Sequence, residues 1–209
     1  MPKLRKKKVC KSSACGKEFE PFQSMQKVCG VSCAIALNSE KAITKRNKEI
    51  RKAKRDHYRS SLQWQHKKTQ AEFNKMRRLE ELLWFLERGK EPECISCGKT
   101  KMDWCCGHFK TVGAQSGLRY SPDNTKLQCN RYCNMGLSGN IDGNKTTRGY
   151  KQGLRDRFGD DEAERIIEYC ETTTAPVKFT CDQLESDRAK YSARSRELME
   201  SPLINHYLK

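Results

Sequence analysis

The sequence has no run of eighteen apolar residues, about the length that crosses a bilayer, and this excludes a membrane-spanning helix. No apolar segment follows the basic N-terminus Met1-Pro2-Lys3-Leu4-Arg5, so a secretory signal is not expected and a reducing cytoplasm is. Acidic side chains are scarce in the first 90 residues, 9 against 24 basic ones, a net of +15 out of +16 for the chain. From residue 38 to residue 88 there is neither proline nor glycine, and nothing of that kind stops a helix there. Hydrophobic residues make up 35% and charged ones 33%, too polar for one large apolar core and too varied for a wholly disordered chain. The charge polarisation points to a polyanion, most readily nucleic acid, because each neutralised phosphate releases counterions.

Cysteine, by contrast, is abundant. Twelve cysteines in a chain expected to stay reduced read as metal ligands rather than disulfides. Cys10 and Cys15 are followed by Cys29 and Cys33; Cys94 and Cys97 are followed by Cys129 and Cys133. Each set is two close pairs across a longer loop, the arrangement a tetrahedral zinc ion requires. Cys94-Ile95-Ser96-Cys97-Gly98 reads as a zinc knuckle. Structural Zn²⁺ is therefore expected twice, and without it neither region has the apolar content to fold. Cys170 and Cys181 lie in helix-like stretches and read as small core residues. Cys105 and Cys106 stand just before His108, and either is an alternative zinc ligand.

The expected fold class is α+β, mainly helical. Residues 1–37 read as a basic arm and a small zinc module pinned by Phe19 and Phe22. Residues 38–90, with 16 basic and 7 acidic side chains, read as one long basic helix or linker. Its second half carries Phe73, Met76, Leu79, Leu83 and Leu86 at helical steps, a face that packs. Residues 91–147 form a glycine-rich core with the second cysteine set, and 148–209 a helical region. There Asp160-Asp161-Glu162 suits a helix start, and Thr180-Cys181-Asp182-Gln183 has capping-box spacing.

The stretch from Cys94 to Asn140 carries the chemistry. Cys106-Gly107-His108-Phe109 follows the knuckle, Asn124 lies five residues before Cys129, and Asn134 directly follows Cys133. This pattern resembles the zinc-containing branch of the HNH nucleases. The resemblance implies a ββα-metal fold, a hairpin and helix clasping one catalytic divalent cation. His108 then matches the general base, Asn124 the loop residue that orients it, and Asn134 a metal ligand. Histidine fits a base because its pKa is near neutral. His108 alone would read as a surface or zinc-proximal histidine.

Leu118-Arg119-Tyr120, Asp123-Asn124, Gln128-Cys129, Cys133-Asn134, Ser138-Gly139-Asn140 and Arg157-Phe158-Gly159 extend the likeness, in order, to the NinG (Rap) family of lambdoid phages. That resemblance implies a phage-encoded recombination endonuclease in the bacterial host cytoplasm, cutting branched DNA such as Holliday junctions and D-loops with Mg²⁺ or Mn²⁺. Its implied partners are branched DNA and recombination proteins of phage or host, with no membrane; a homodimer would match two-fold symmetric junctions. Asn140 and Cys105 are weaker candidates for the catalytic cation. Cys105 stands where family members commonly carry Asp, a soft ligand for a hard one, and the second knuckle is Cys-x3-Cys instead of Cys-x2-Cys. A non-catalytic zinc-containing nucleic-acid-binding module, or a recombination adaptor, is the competing reading. Arg119, Lys126, Arg131 and Arg148 are candidate phosphate clamps or ordinary solvated charges. Trp104 and Tyr120 read as base stackers or core, and His57, His66 and His206 as surface residues.

Overall fold

A computed structural model of the chain describes residues 6–135, 141–145 and 147–208. The architecture is mainly helical α+β with two small antiparallel sheets. It divides into two units, one ending at Arg59 and one beginning at Ser60.

In the first unit, β1 (Lys8–Val9) pairs with β2 (Glu18–Phe19) in antiparallel register, Lys8 opposite Phe19. The turn between them is drawn in by Cys10 N–H on the Lys17 carbonyl at 2.8 Å. Helix α1 (Val31–Arg59) follows and buries none of its residues. The buried side chains of the module are Cys10, Ser12 and Pro21. Phe22, expected as a pin of this core, is 80% exposed: the cysteines and their turns occupy the interior.

The second unit opens with α2 (Leu62–Leu86). The single helix expected over 38–90 is thus two helices. Ser61 leaves helical geometry (ψ 143°) and its hydroxyl accepts the Trp64 N–H at 3.3 Å, capping α2. A serine oxygen that satisfies a first-turn donor starts a new helix as readily as a long polar run continues an old one.

α2 is amphipathic as its sequence requires. Phe73, Met76, Leu79, Leu82 and Phe85 are buried in a core shared with Trp104, Cys106, Leu127, Leu198 and Ile204, while Leu83 and Leu86, expected on this face, are only half-buried against it. Along α2 lies α5 (Cys181–Glu200). Thr69 Oγ1 donates to the Leu184 carbonyl at 2.8 Å, and the Phe73 and Tyr191 rings meet edge to face at 5.3 Å. The start of α5 carries the expected capping box, Thr180 with Gln183. Helix α6 (Pro202–Tyr207) closes this side with Ile204 buried.

The hairpin consists of β3 (Trp104–His108) and β4 (Thr125–Cys129), with Trp104 opposite Cys129 and His108 opposite Thr125. A second core, behind it, joins Ile95, Phe109 and Leu118 to α3 (Tyr150–Phe158) and α4 (Asp160–Thr172) through Tyr150, Leu154, Ala163, Ile166, Ile167 and Cys170. α3 crosses the knuckle so closely that a Cβ on Gly153 would lie 1.7 Å from the Ile95 carbonyl oxygen; only glycine fits. After β4 the chain makes a single π-helical turn, Asn130–Asn134, where a ββα-metal fold would place its helix; residues 136–140, with the Ser138-Gly139-Asn140 motif, lie outside the described residues.

Candidate metal centres and the hairpin site

Both cysteine quartets converge. The four Sγ atoms of Cys10, Cys15, Cys29 and Cys33 lie within 4.8 Å of one another, as do those of Cys94, Cys97, Cys129 and Cys133. A tetrahedral zinc with Zn–S bonds of about 2.3 Å places its sulfurs about 3.8 Å apart. Here Cys15 and Cys29 are 3.6 Å apart, Cys29 and Cys33 3.5 Å, and Cys97 and Cys129 3.9 Å. The donor sets therefore fit zinc. In the first quartet burial works to raise the Cys10 thiol, but N–H groups of Ser12 and Cys29 outweigh it and bring the pKa down to about 7. In the second, Cys129 N–H donates to Cys94 Sγ at 3.3 Å, a contact that favours a bound thiolate.

The Cys-x3-Cys spacing has a structural solution. Cys129 ends β4 and Cys133 lies in the π turn, where Met135 N–H reaches back five residues to the Asn130 carbonyl at 2.9 Å. The wider turn takes in the extra residue and still presents Cys133 to the quartet. Cys105 and Cys106 are not ligands of either centre, which corrects the alternative that one of them replaces a zinc cysteine. Cys105 Sγ donates to the Gln128 carbonyl at 3.3 Å, Cys106 belongs to the α2 core, and burial pushes both thiols up to about 12.

His108 ends β3. Its Nε2 lies 3.3 Å from the Arg119 carbonyl oxygen. A carbonyl can only accept, so a neutral ring that makes this bond carries its proton on Nε2. Burial, helped by the Arg119 charge, holds its pKa below the ordinary value of 6.5, against hydrogen bonds to the Arg119 and Cys106 backbone. Asn124 is fully buried and acts on the backbone beside His108. Its Oδ1 accepts Lys110 N–H at 2.7 Å, and its Nδ2 donates to the carbonyls of Lys110 and Leu118 at 3.0 and 3.1 Å. These bonds tie the strand end to the segment that supplies the Arg119 carbonyl. Gly107 completes the local geometry, because Gln128 lies across it and a Cβ there would meet Gln128 Oε1 at 2.3 Å.

Asn134 and Cys105 lie elsewhere around the hairpin. Both line a groove of about 430 Å³ with Asp103, Asn130 and, from α2, Asn74, Lys75 and Arg78. Asn134 Nδ2 donates to Asn130 Oδ1 at 3.4 Å, and Asn130 Nδ2 to Asp103 Oδ2 at 3.3 Å. In a strand, residues 105 and 108 point to opposite faces. The structure thus places Cys105 with Asn134, and His108 with Asn124.

Two of the candidate phosphate clamps are internal braces, a correction. Arg148 donates through Nη2 to Glu93 at 2.7 Å, through Nη1 to Asp156 at 3.0 Å, and through Nε to the Ile95 carbonyl at 3.3 Å. Lys126 is buried and donates to the Pro122 and Asp123 carbonyls at 3.0 and 3.3 Å. Arg131 is exposed and Arg119 half-buried. Trp104 is core, its Nε1 on Tyr207 Oη at 2.9 Å. His66, expected as a surface residue, is half-buried: its Nδ1 lies 3.0 Å from Tyr120 Oη and its ring meets Phe179 edge to face at 5.3 Å. Burial and the Arg119 charge lower its pKa.

Fold and centres together define a small, mainly helical protein with two candidate four-cysteine zinc sites, one of them bracing a β-hairpin. The chain belongs to the bacteriophage lambda NinG protein family, whose family model matches residues 2–201. It is 25% identical over 205 residues to the protein ninG of Escherichia phage lambda, covering 92% of this chain and 93% of that one. The figures for the protein ninG of Salmonella phage P22 are 25% over 205 residues, 92% and 94%. With the protein ninG of Escherichia phage 933W identity is 30% over 116 residues, 55% of this chain and 52% of that protein; the chain spans about half the length of this relative. No solved structure matches. Among the described residues, no helix is long and apolar enough to cross a membrane.

Proposed function

We propose that the chain is a metal-dependent, HNH-like DNA endonuclease that selects branched recombination intermediates. The observation that carries the reading is His108: a half-buried histidine at the end of the first strand of a cysteine-braced hairpin, its Nε2 on the Arg119 carbonyl and its pKa held below 6.5, so that the ring offers an unprotonated base nitrogen at neutral pH. Such a nitrogen suits removal of a proton from a water attacking a phosphodiester. Asn124 holds the loop that carries the Arg119 carbonyl. Asn134, implied as a ligand for Mg²⁺ or Mn²⁺, lies in the groove with Cys105 on the other side of the hairpin from His108, so the cation serving His108 is not assigned to it; Asn140 lies outside the described residues. Cys105 is a poor ligand for such an ion, because it is a soft donor and burial keeps its thiol protonated. The cation, when bound, would stabilise charge on the phosphate. Preference for four-way junctions and D-loops rests on family likeness, and the basic N-terminal unit favours a polyanionic substrate.

Cys105, standing where the family commonly has Asp, favours a second reading: a zinc-containing nucleic-acid-binding module, or an adaptor that recruits a recombination protein through its C-terminal helices. The deciding experiment is cleavage of a labelled four-way junction and its matching linear duplex, with Mg²⁺ or Mn²⁺, by wild type and His108→Ala. Cutting of the junction by wild type only supports the nuclease. Binding without cutting in either metal supports the module.

A further inference from the structure

The groove beside the hairpin has a wall that the sequence reading left unassigned. On α2, Ala71, Asn74, Lys75 and Arg78 line it, at steps of three and four, so they form one stripe along the helix. Lys75 and Arg78 are exposed. Among the described residues neither makes an ion pair, whereas Arg77 between them is buried and held by Glu81 at 2.9 Å. Arg78 Nη1 makes one hydrogen bond, to the Trp104 carbonyl at 3.4 Å, which aims its guanidinium along the rim of β3 and leaves its other N–H groups for a ligand. The opposite wall is polar, with Asn130 and Asn134. One carboxylate, Asp103, also lines the groove, and it accepts from Asn130.

We infer that Lys75 and Arg78 hold the sugar-phosphate backbone of a DNA strand lying in this groove, beside Asn134. Two cations without carboxylate partners among the described residues, on side chains whose Cβ atoms are about 5–6 Å apart on one helix face, with the amides of Asn130 and Asn134 in the same open trough, match a chain of monoanionic phosphates. They do not match a small apolar ligand, for which the trough offers no enclosed apolar surface. The inference rests on the nucleic-acid part of the proposed function, and it assigns the strand's path to α2.

The test is fluorescence anisotropy of a labelled four-way junction with the full-length, zinc-loaded protein, without added Mg²⁺ or Mn²⁺, across a salt series. Lys75→Ala with Arg78→Ala should weaken binding roughly tenfold or more and lower the salt slope by about 2, one contact per residue. Lys67→Ala with Lys68→Ala removes the same charge elsewhere on α2 and should weaken binding by less than about threefold. The swap Lys75→Arg with Arg78→Lys keeps the charge and should restore most of the affinity. Unchanged binding by the groove variant, or equal losses in the two alanine pairs, would overturn the inference. So would failure of the swap to restore binding at an unchanged melting temperature. His108→Ala separates the two readings: it should bind as wild type does. If wild type binds through Lys75 and Arg78 yet cuts nothing, the nuclease reading fails and the strand path stands; if wild type cuts and the groove variant binds as well, only the path fails.

Discussion

Arg157 donates through Nη1 to Oε2 of Glu81 across 2.7 Å, and the same oxygen accepts Leu127 N–H at 3.0 Å. One carboxylate oxygen thus joins α2, β4 and the end of α3. Arg157 also lies over the Trp84 and Phe85 rings at 4.2 and 4.3 Å, so the cation is held by aromatic faces as well as by charge.

Glu81→Ala should therefore cost about 3–5 kcal/mol, since it strands buried cations and a backbone donor. Burial works to raise the Glu81 pKa, but Arg157, Lys126 and Arg77 outweigh it and hold it below the ordinary 4.5. A depressed carboxylate pKa gives stability that is complete above that ordinary value and is lost as pH falls through the folded value. Urea unfolding of wild type and Glu81→Gln should differ by a constant amount at pH 6–8 and converge below about pH 4.5. A gap that stays open in acid would contradict the assignment.

Two zinc ions per chain are expected, one for each converged quartet. Elemental analysis of Cys97→Ser should return about one, with loss of the cooperative melting of the second unit. Cys15→Ser should also return about one and leave that melting in place, because the first quartet lies wholly in the other unit.

If His108 is the base, cleavage needs its neutral form, and the acid limb of kcat/KM should have its midpoint below 6.5, the direction in which burial moves the ring. His108→Ala should lower cleavage by about 10²–10⁴-fold with junction binding unchanged. A midpoint above 6.5 would rule out this half-buried imidazole as the titrating group.

Arg148→Ala should cost stability, about 2–3 kcal/mol for loss of charge-assisted bonds to Glu93 and Asp156, and leave the salt slope of DNA binding where it was. A shallower slope at unchanged melting temperature would return Arg148 to the DNA surface.

What was legible in the sequence was local. The quartets could be read because zinc ligands come as short pairs. The α2 stripe and the Thr180–Gln183 cap were visible because helical spacing spans three or four residues. The roles of Lys126 and Arg148 were hidden, because the carboxylates near them, Glu81 and Glu93, lie 45 and 55 positions away. His66 was misjudged for the same reason: its partners Tyr120 and Phe179 come from distant segments. The break at Ser60–Ser61 was hidden by cost, since a serine pair in a helix is only a few tenths of a kcal/mol worse than its neighbours. The wall formed by Asn74, Lys75 and Arg78 did have a signal, a polar stripe beside the apolar one, but that signal names a face and not what the face meets.

The π turn at Asn130–Asn134 has a bearing on timing. A lone π turn has little stability of its own, and this one holds a zinc cysteine, Cys133, directly before Asn134. Metal capture and placement of the Asn134 amide are then a single event. A chain without zinc at Cys133 would leave that turn unbraced, so zinc loading and ordering of the Asn134 side of the groove would go together.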